Sequence, residues 1–424
     1  MSDTPVAPGL RLRIESLAQR ENLRVLAEFV VVAACTLAFV FTVLDIGAAV
    51  LEKNAAGKRD FIEYWASGQQ LRHHANPYDG SAILPMERAA GLPGEIPPMV
   101  MGNPPPALLL VVPLGFVGAR LGELLWILFL LACLIAAVRM VWAMHGSPNN
   151  KLHYLGYTFA PAVMCLGVGQ ASLLILLGYV LFLRLHRSSP FLAGASLWFC
   201  ALKPQLFLPF GLVLLAWIFA SKSYRILAGA VSAFAATTLI AYLLAPHAWT
   251  QYHTMMAVSR YDKIPIPCLS IVLRRTIAPH AMWLQYLPAT LGCLWAIGYF
   301  RRHRDHWDWI DHGSPLILVS VLVAPYTWLI DQAILVPALL HGVYVTRSRS
   351  LLALLALGTA VTEIAPLLGL KLLHSPFYIW TAPMGLVWYL YATRSPRPEP
   401  EGEGAASLRQ SGFSSLQGPK GNEV

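Results

Sequence analysis

Apolar runs of roughly 15 to 25 residues recur from about residue 25 to residue 393, broken only by short polar stretches. A helix needs about 20 apolar residues to cross the hydrocarbon of a bilayer. Lipid offers no partner to backbone N–H and C=O groups, so a chain written this way must fold into helices that satisfy their own backbones. Hydrophobic residues make up 56% of the chain and charged residues 12%, which leaves no stretch over for a soluble domain. The expected fold is an all-α polytopic membrane protein with about 10–13 transmembrane helices.

The net charge of +9 does not point to nucleic acid. Its basic residues fall in short clusters between apolar runs: Arg184 and Arg187, Lys222 and Arg225, Arg301, Arg302 and Arg304, Arg347 and Arg349. That is the pattern of cytoplasmic loops. Five of the six cysteines lie inside apolar runs and only Cys268 falls in a loop, so neither a disulfide framework nor a metal-ligand spacing emerges. The run from about 25 to 51 is too long for a signal-peptide core and is expected to stay as the first span. Residues 1–24 then form a cytoplasmic segment, 25–393 the membrane domain, and the Pro-, Gly- and Ser-rich residues 394–424 a disordered cytoplasmic tail.

Placing the basic clusters inside gives about twelve spans. Span one leads to a long outer loop, 52–119, and span two, about 120–143, returns. Hairpins over about 153–186 and 190–220 turn at "GVGQAS" and "LKPQ". Span seven, about 225–245, opens a second long outer loop, 246–283. A hairpin over about 313–345 turns at "APYTWLIDQ", and a last pair covers about 350–393. The polar interruptions then converge on the outer face. Polar groups at membrane depth are costly and usually line a cavity or pathway.

The densest interruption is "RDFIEYWASGQQLRHHANPYDG", residues 59–80. On a helix from about 59 to 74, Asp60, Glu63, Tyr64, Ser67 and Leu71 share one face, and Gly68 permits close approach. Asn-Pro and Asp-Gly should then stop the helix. "NPPPALLLVVPLG" (103–115) has too many prolines for a span and suits a helix lying along the membrane surface.

Asp60, Tyr64, Ala66, Gly68, Leu71, Pro77 and Tyr78, followed by the Pro-Pro pair before an apolar segment ending at Pro113, resemble the first outer loop of glycosyltransferase family 87. Gly169-Gln170, Lys203-Pro204-Gln205, Ser270 with Arg274, and Pro325 with Trp328 follow in the order that family shows. The resemblance spans about 25–393. Two departures stand out: Cys268 where members often have Asn, and Ile330-Asp331-Gln332 where many have a histidine pair.

The resemblance implies a GT-C-type membrane enzyme with juxtamembrane helices on its first outer loop. It implies inverting transfer of a hexose, such as mannose, from a polyprenyl-phosphate donor to a lipid or glycan acceptor. The expected setting is the extracytoplasmic side of the plasma (bacterial inner) membrane. Asp60 is then the general base, a role suited to a carboxylate held beside an acceptor hydroxyl. Lys203, Arg260, Arg274 and Arg275 are candidates to face the departing phosphate. Glu63, Tyr64, Gly68, Tyr78, Gln170, Gln205, Ser270, Trp328 and Asp331 complete the expected substrate site. The lipid-linked donor is the expected small-molecule partner; no cofactor motif is present, and a divalent metal and the oligomeric state stay open.

Plainer readings stand beside these. Asp60 could simply complement a helix dipole, Lys203 could snorkel, and Asp331 could be a helix cap. The loop arginines could bind headgroups. His73 and His74 point apart on a helix and lack the rest of a metal motif. "RRHRDHWDWIDH" (301–312) reads as a solvated amphipathic loop. The competing function is a transporter or flippase of a lipid-linked sugar, which predicts inverted repeats; none is visible.

Overall fold

The computed structural model describes residues 8–52, 54–258, 266–365 and 376–394. Every regular element among them is helical. The chain opens with α1 (Pro8–Leu51), whose apolar stretch is Val25–Ala48; the helix begins upstream of the expected boundary at 25. The first long loop carries α2 (Phe61–Arg72), α3 (Gly80–Ala89) and α4 (Leu108–Val111), and α5 (Ala119–Met144) follows. Then come α6 (Tyr154–Tyr157), α7 (Ala160–Val168), α8 (Ser172–Leu185), α9 (Pro190–Cys200), α10 (Leu208–Ala220) and α11 (Tyr224–Leu244). The second long loop holds α12 (Ala248–Val258) and α13 (Leu269–Ile277), and α14 (Trp283–His303) and α15 (Gly313–Leu322) follow. A 3-10 turn, Leu329–Leu335, leads into α16 (Val336–Val345), and α17 (Arg349–Ile364) and α18 (Thr381–Thr393) close the described chain.

Three helices among the described residues, within α1, α5 and α11, are long and apolar enough to cross a membrane. Six further apolar segments have 10–17 residues, among them Ser172–Leu185 and Leu329–Val345. Short helices fit where turns at membrane depth are buried in protein rather than in lipid. Burial follows that division. The 3-10 turn Leu329–Leu335 is buried throughout and α8 almost so, whereas α1 and α11 expose Phe29, Phe39, Leu239 and Leu243, as lipid-facing helices do.

Side-chain contacts separate two ends of the bundle. At one, Arg187 pairs with Asp308 at 2.6 Å, Arg349 with Glu28 at 2.8 Å, and His145 meets His341 at 3.2 Å. These contacts join segments at the ends that the basic clusters mark as cytoplasmic. The motifs around Asp60, Gln170, Lys203 and Trp328 meet at the other end.

Two local expectations need correction. Residues 103–115 are helical from Pro105 onward, but not as one regular α-helix on the surface. Prolines 104, 105, 106 and 113 divide the stretch into 3-10 turns (Pro105–Ala107, Val112–Phe116) around the single turn α4, and Leu108 and Val111 are fully buried. Nor is 301–312 merely solvated. Trp309 is 1% exposed, with its ring 5.1–5.4 Å from those of Phe182, Phe210 and Trp217. Only its flanking charges face out, because a tryptophan gains more from an aromatic pocket than from water.

Candidate active site

The first loop is built to hold the start of α2 still. Arg59 places Nε 3.0 Å from Glu123 Oε1 on α5 and donates from Nη1 to the Gly167 carbonyl at 2.6 Å. Trp65 donates to Val117 O at 2.9 Å. Gly68 sits against the backbone of 111–115: a Cβ there would run into the Val111 carbonyl and lie 2.9 Å from Gly115 N. Beyond α2, Asn76 accepts from Tyr78 N–H at 2.9 Å, an Asx turn. Ser67 donates to Pro77 O at 3.0 Å. Tyr78 then donates to Asn103 O at 3.1 Å, and Asn103 to Leu202 O at 3.1 Å. This chain of bonds ties the "NPY" turn to the "KPQ" turn.

Asp60 is the N-cap residue of α2, but its side chain makes no capping bond. Asp79, at the start of α3, shows the contrast by accepting from Ser81 N and Ala82 N. The Asp60 carboxylate instead accepts from Gln170 Nε2 at 3.0 Å, and Glu63 accepts from the same amide nitrogen at 3.1 Å. Gln170 is brought there by Gly169, which ends α7 in the left-handed region at φ 77°. A Cβ on Gly169 would lie 2.8 Å from Phe61 Cβ. Gly169 O also accepts from Trp126 Nε1 at 2.7 Å.

The oxygen of the Gln170 amide faces donors. Tyr64 OH reaches it at 2.8 Å and Lys203 Nζ at 3.3 Å. Lys203 also contacts Ser172 Oγ at 3.4 Å and pairs with Asp331 Oδ1 at 2.7 Å. Asp331 is fully buried. It takes a second bond from Ser172 at 2.7 Å and, through Oδ2, caps its own 3-10 turn at Trp328 N, 3.0 Å. One glutamine therefore links two carboxylates on α2 to a buried ion pair contributed from 203 and 331.

Glu63 differs from its neighbour in charge state. Burial, and after it the adjacent charge of Asp60, push its carboxyl up to about 8. At neutral pH Glu63 is protonated, so the second carboxyl adds no charge beside Asp60.

These groups edge a cavity of about 390 Å³, within the usual range for a small-molecule site. Asp60, Glu63, Gln170, Lys203 and Gln205 line it, with Asn103 at one side and Tyr252, Tyr326 and Trp328 forming an aromatic wall. Of the remaining residues expected at the site, Tyr64 and Asp331 stand behind the wall and act through hydrogen bonds. Tyr78 is further back, bonded to Asn103, and Gly68 belongs to helix packing. Ser270 bonds Val323 O at 3.3 Å, and buried Arg274 donates to Pro279 O at 3.3 Å and contacts Met282 Sδ at 2.9 Å; neither lines the cavity. Cys268 and Ile271 pack against Tyr326 and Trp328 from behind. Arg260 lies outside the described residues, as do Lys263 and the tail after 394. Among the described residues no group of three or more His, Cys, Asp or Glu side chains is arranged to hold a metal.

Ser172, Asn103, Tyr252 and Tyr326 were not singled out in the sequence. Ser172 lies just past "GQ" and could have been found there; the other three look like ordinary loop and helix residues.

The sequence model of glycosyltransferase family 87 matches residues 102–362, more than half of the chain. The protein belongs to glycosyltransferase family 87. The match covers Gln170, Lys203, Gln205, Trp328 and Asp331 but begins after Asp60 and Glu63, so it is the folded geometry that brings the two carboxylates to the family's segment. Membership makes this chain a glycosyltransferase, and its apolar helices make it a membrane-type one. Neither a search of curated proteins nor one of solved structures returned a match.

Proposed function

We propose that this family 87 member is an inverting hexosyltransferase that uses a polyprenyl-phosphate sugar, mannose being the leading candidate, and a lipid or glycan acceptor. The observation that carries this reading is the placement of Asp60. Its carboxylate is not spent on capping α2, faces the cavity, and is held by Gln170 next to the Lys203 ammonium.

In the proposed step the acceptor hydroxyl oxygen attacks the anomeric carbon and its proton passes to Asp60. The bond from the anomeric carbon to the phosphate oxygen breaks, and its electron pair leaves on polyprenyl phosphate. Protonated Glu63 leaves Asp60 the only ionised carboxylate on the α2 face, so the two carboxyls hold different roles through different environments. Lys203 is fixed by three acceptors rather than swinging free. A preorganised cation costs nothing to reorient when charge develops on the leaving phosphate. Tyr252, Tyr326 and Trp328 offer flat apolar faces to a sugar ring.

A lipid-borne donor explains why a sugar-transferring protein is built almost wholly of apolar helices. The clustering of Arg187, Arg301, Arg302, Arg304 and Arg349 away from the site supports an extracytoplasmic cavity in the plasma membrane by the positive-inside rule. The test is incubation of membranes containing the protein with radiolabelled polyprenyl-phosphate hexoses, followed by separation of lipid and glycan products. Label should move to product with release of polyprenyl phosphate. Translocation of the donor without transfer would overturn the reading in favour of transport.

A further inference from the structure

A second and larger cavity lies away from Asp60, in the groove between α1 and the α5–α6–α7 side of the bundle. It measures about 910 Å³. Its walls are almost wholly apolar, with Val31, Phe39 and Ile46 of α1 facing Leu131, Leu134 and Leu166. From Val31 to Ile46 the groove follows α1 for about 22 Å, at 1.5 Å per residue. Its polar lining concentrates at one end, where Asn150, Lys151, Tyr154 and Tyr157 enter.

Lys151 is the only charged side chain among the described residues that line the groove. Lys151 is exposed and pairs with no acidic side chain among the described residues. Arg139, also exposed, sits close enough to Tyr157 and His153 to act on both electrostatically, and its guanidinium lies over the Trp142 ring at 5.9 Å. Along α5, Arg139 is about 24 Å from the level of Glu123, the residue that pairs with Arg59 beside Asp60. The cationic rim and the sugar cavity therefore lie at opposite ends of the apolar part of the bundle.

An apolar channel of that length, open along the lipid-facing α1 and ending at Lys151, Arg139 and tyrosine hydroxyls, has the chemistry of a phospholipid laid on its side chain first. We propose that the α1–α5 groove is a binding site for an anionic phospholipid, its acyl chain in the groove and its phosphate headgroup at Lys151 and Arg139. The site is separate from the one that holds the sugar. Its occupant fills the space that α1 leaves against α5.

The full-length protein, in nanodiscs of phosphatidylcholine doped with phosphatidylglycerol, is released into the gas phase and its retained lipid identified by native mass spectrometry. Wild type should retain one phosphatidylglycerol in preference to phosphatidylcholine. Each cation near an anionic headgroup contributes on the order of 1 kcal/mol, about fivefold in binding. K151Q should therefore cut the preference about fivefold and K151Q with R139Q about 25-fold, while K151R retains it. Soluble glycerol phosphate should not compete, because the chain in the groove carries the rest of the affinity. Sugar transfer by K151Q serves as the check that the fold is intact. Equal retention of the two lipids by wild type, an unchanged preference in the double variant, or displacement by glycerol phosphate would each overturn the proposal.

Discussion

Glu63→Gln isolates the charge difference between the two carboxyls on α2. Glutamine keeps the shape of a protonated glutamate and can still meet the Gln170 amide, but it never ionises. With its carboxyl pushed up to about 8, Glu63 is about nine-tenths protonated at pH 7 and about one-tenth at pH 9. Above pH 8 it becomes a second anion beside Asp60, on the same amide nitrogen, in the site proposed to take a phosphate-linked donor. Wild-type transfer should therefore fall with an alkaline limb centred near 8, approaching tenfold per pH unit beyond it. Glu63→Gln should keep near-wild-type transfer at pH 7 and lose that limb. Stability follows the same titration. A free carboxyl titrates near 4.5, so as pH rises the unfolded chain loses this proton first. Glu63 therefore favours the folded state below about pH 4.5, and this advantage is lost between 4.5 and 8. At about 1.4 kcal/mol per pH unit the full span is at most on the order of 5 kcal/mol. Radiolabelled transfer and thermal unfolding, each followed from pH 6 to 9.5, report both effects. An alkaline limb near 8 that survives in Glu63→Gln would refute the assignment.

The remaining predictions concern groups that hold the site. Lys203→Met leaves Asp331 as a buried charge without its cation and should destabilise the fold by about 3–5 kcal/mol. Lys203→Met with Asp331→Leu should recover much of that stability yet stay inactive, which thermal unfolding and the transfer assay separate. Gly68→Ala pushes α2 off the 111–115 backbone and should cost about 1–3 kcal/mol by overpacking, read as a lowered unfolding midpoint; an unchanged midpoint would show that the contact yields easily. Tyr64→Phe removes the 2.8 Å bond to Gln170 and should cost about 1 kcal/mol of stability.

The sequence shows where the membrane helices are because hydropathy is local. Spans expected at about 120–143 and 225–245 appear as α5 (Ala119–Met144) and α11 (Tyr224–Leu244), each within two residues. α2 was legible for the same reason, through i, i+3 and i+4 spacing, although it ends at Arg72, with His73 as its C-cap, before the Asn76-Pro77 turn expected to stop it. Topology went one step further, placing Asp60, Gln170, Lys203 and Asp331 on one face. What it could not supply was pairing. Gln170 meets residues more than 100 positions away, and Lys203 meets Asp331 across 128; no local pattern encodes which polar groups of one face touch. The same limit explains why Arg274 looked like a phosphate ligand but is held by Pro279 O and Met282 Sδ. Proline spacing, in contrast, is local and readable in 103–115, and it accounts for the short helical pieces there.

In the proposed step Asp60 is the proton acceptor. The decisive measurement is single-turnover sugar transfer by purified Asp60→Asn in membranes, alongside its thermal unfolding and its binding of the polyprenyl-phosphate donor. General-base catalysis contributes about 10²–10⁴-fold, so transfer should fall by that factor while unfolding and donor binding stay near wild type. Transfer at the wild-type rate by a folded Asp60→Asn protein would contradict the central claim.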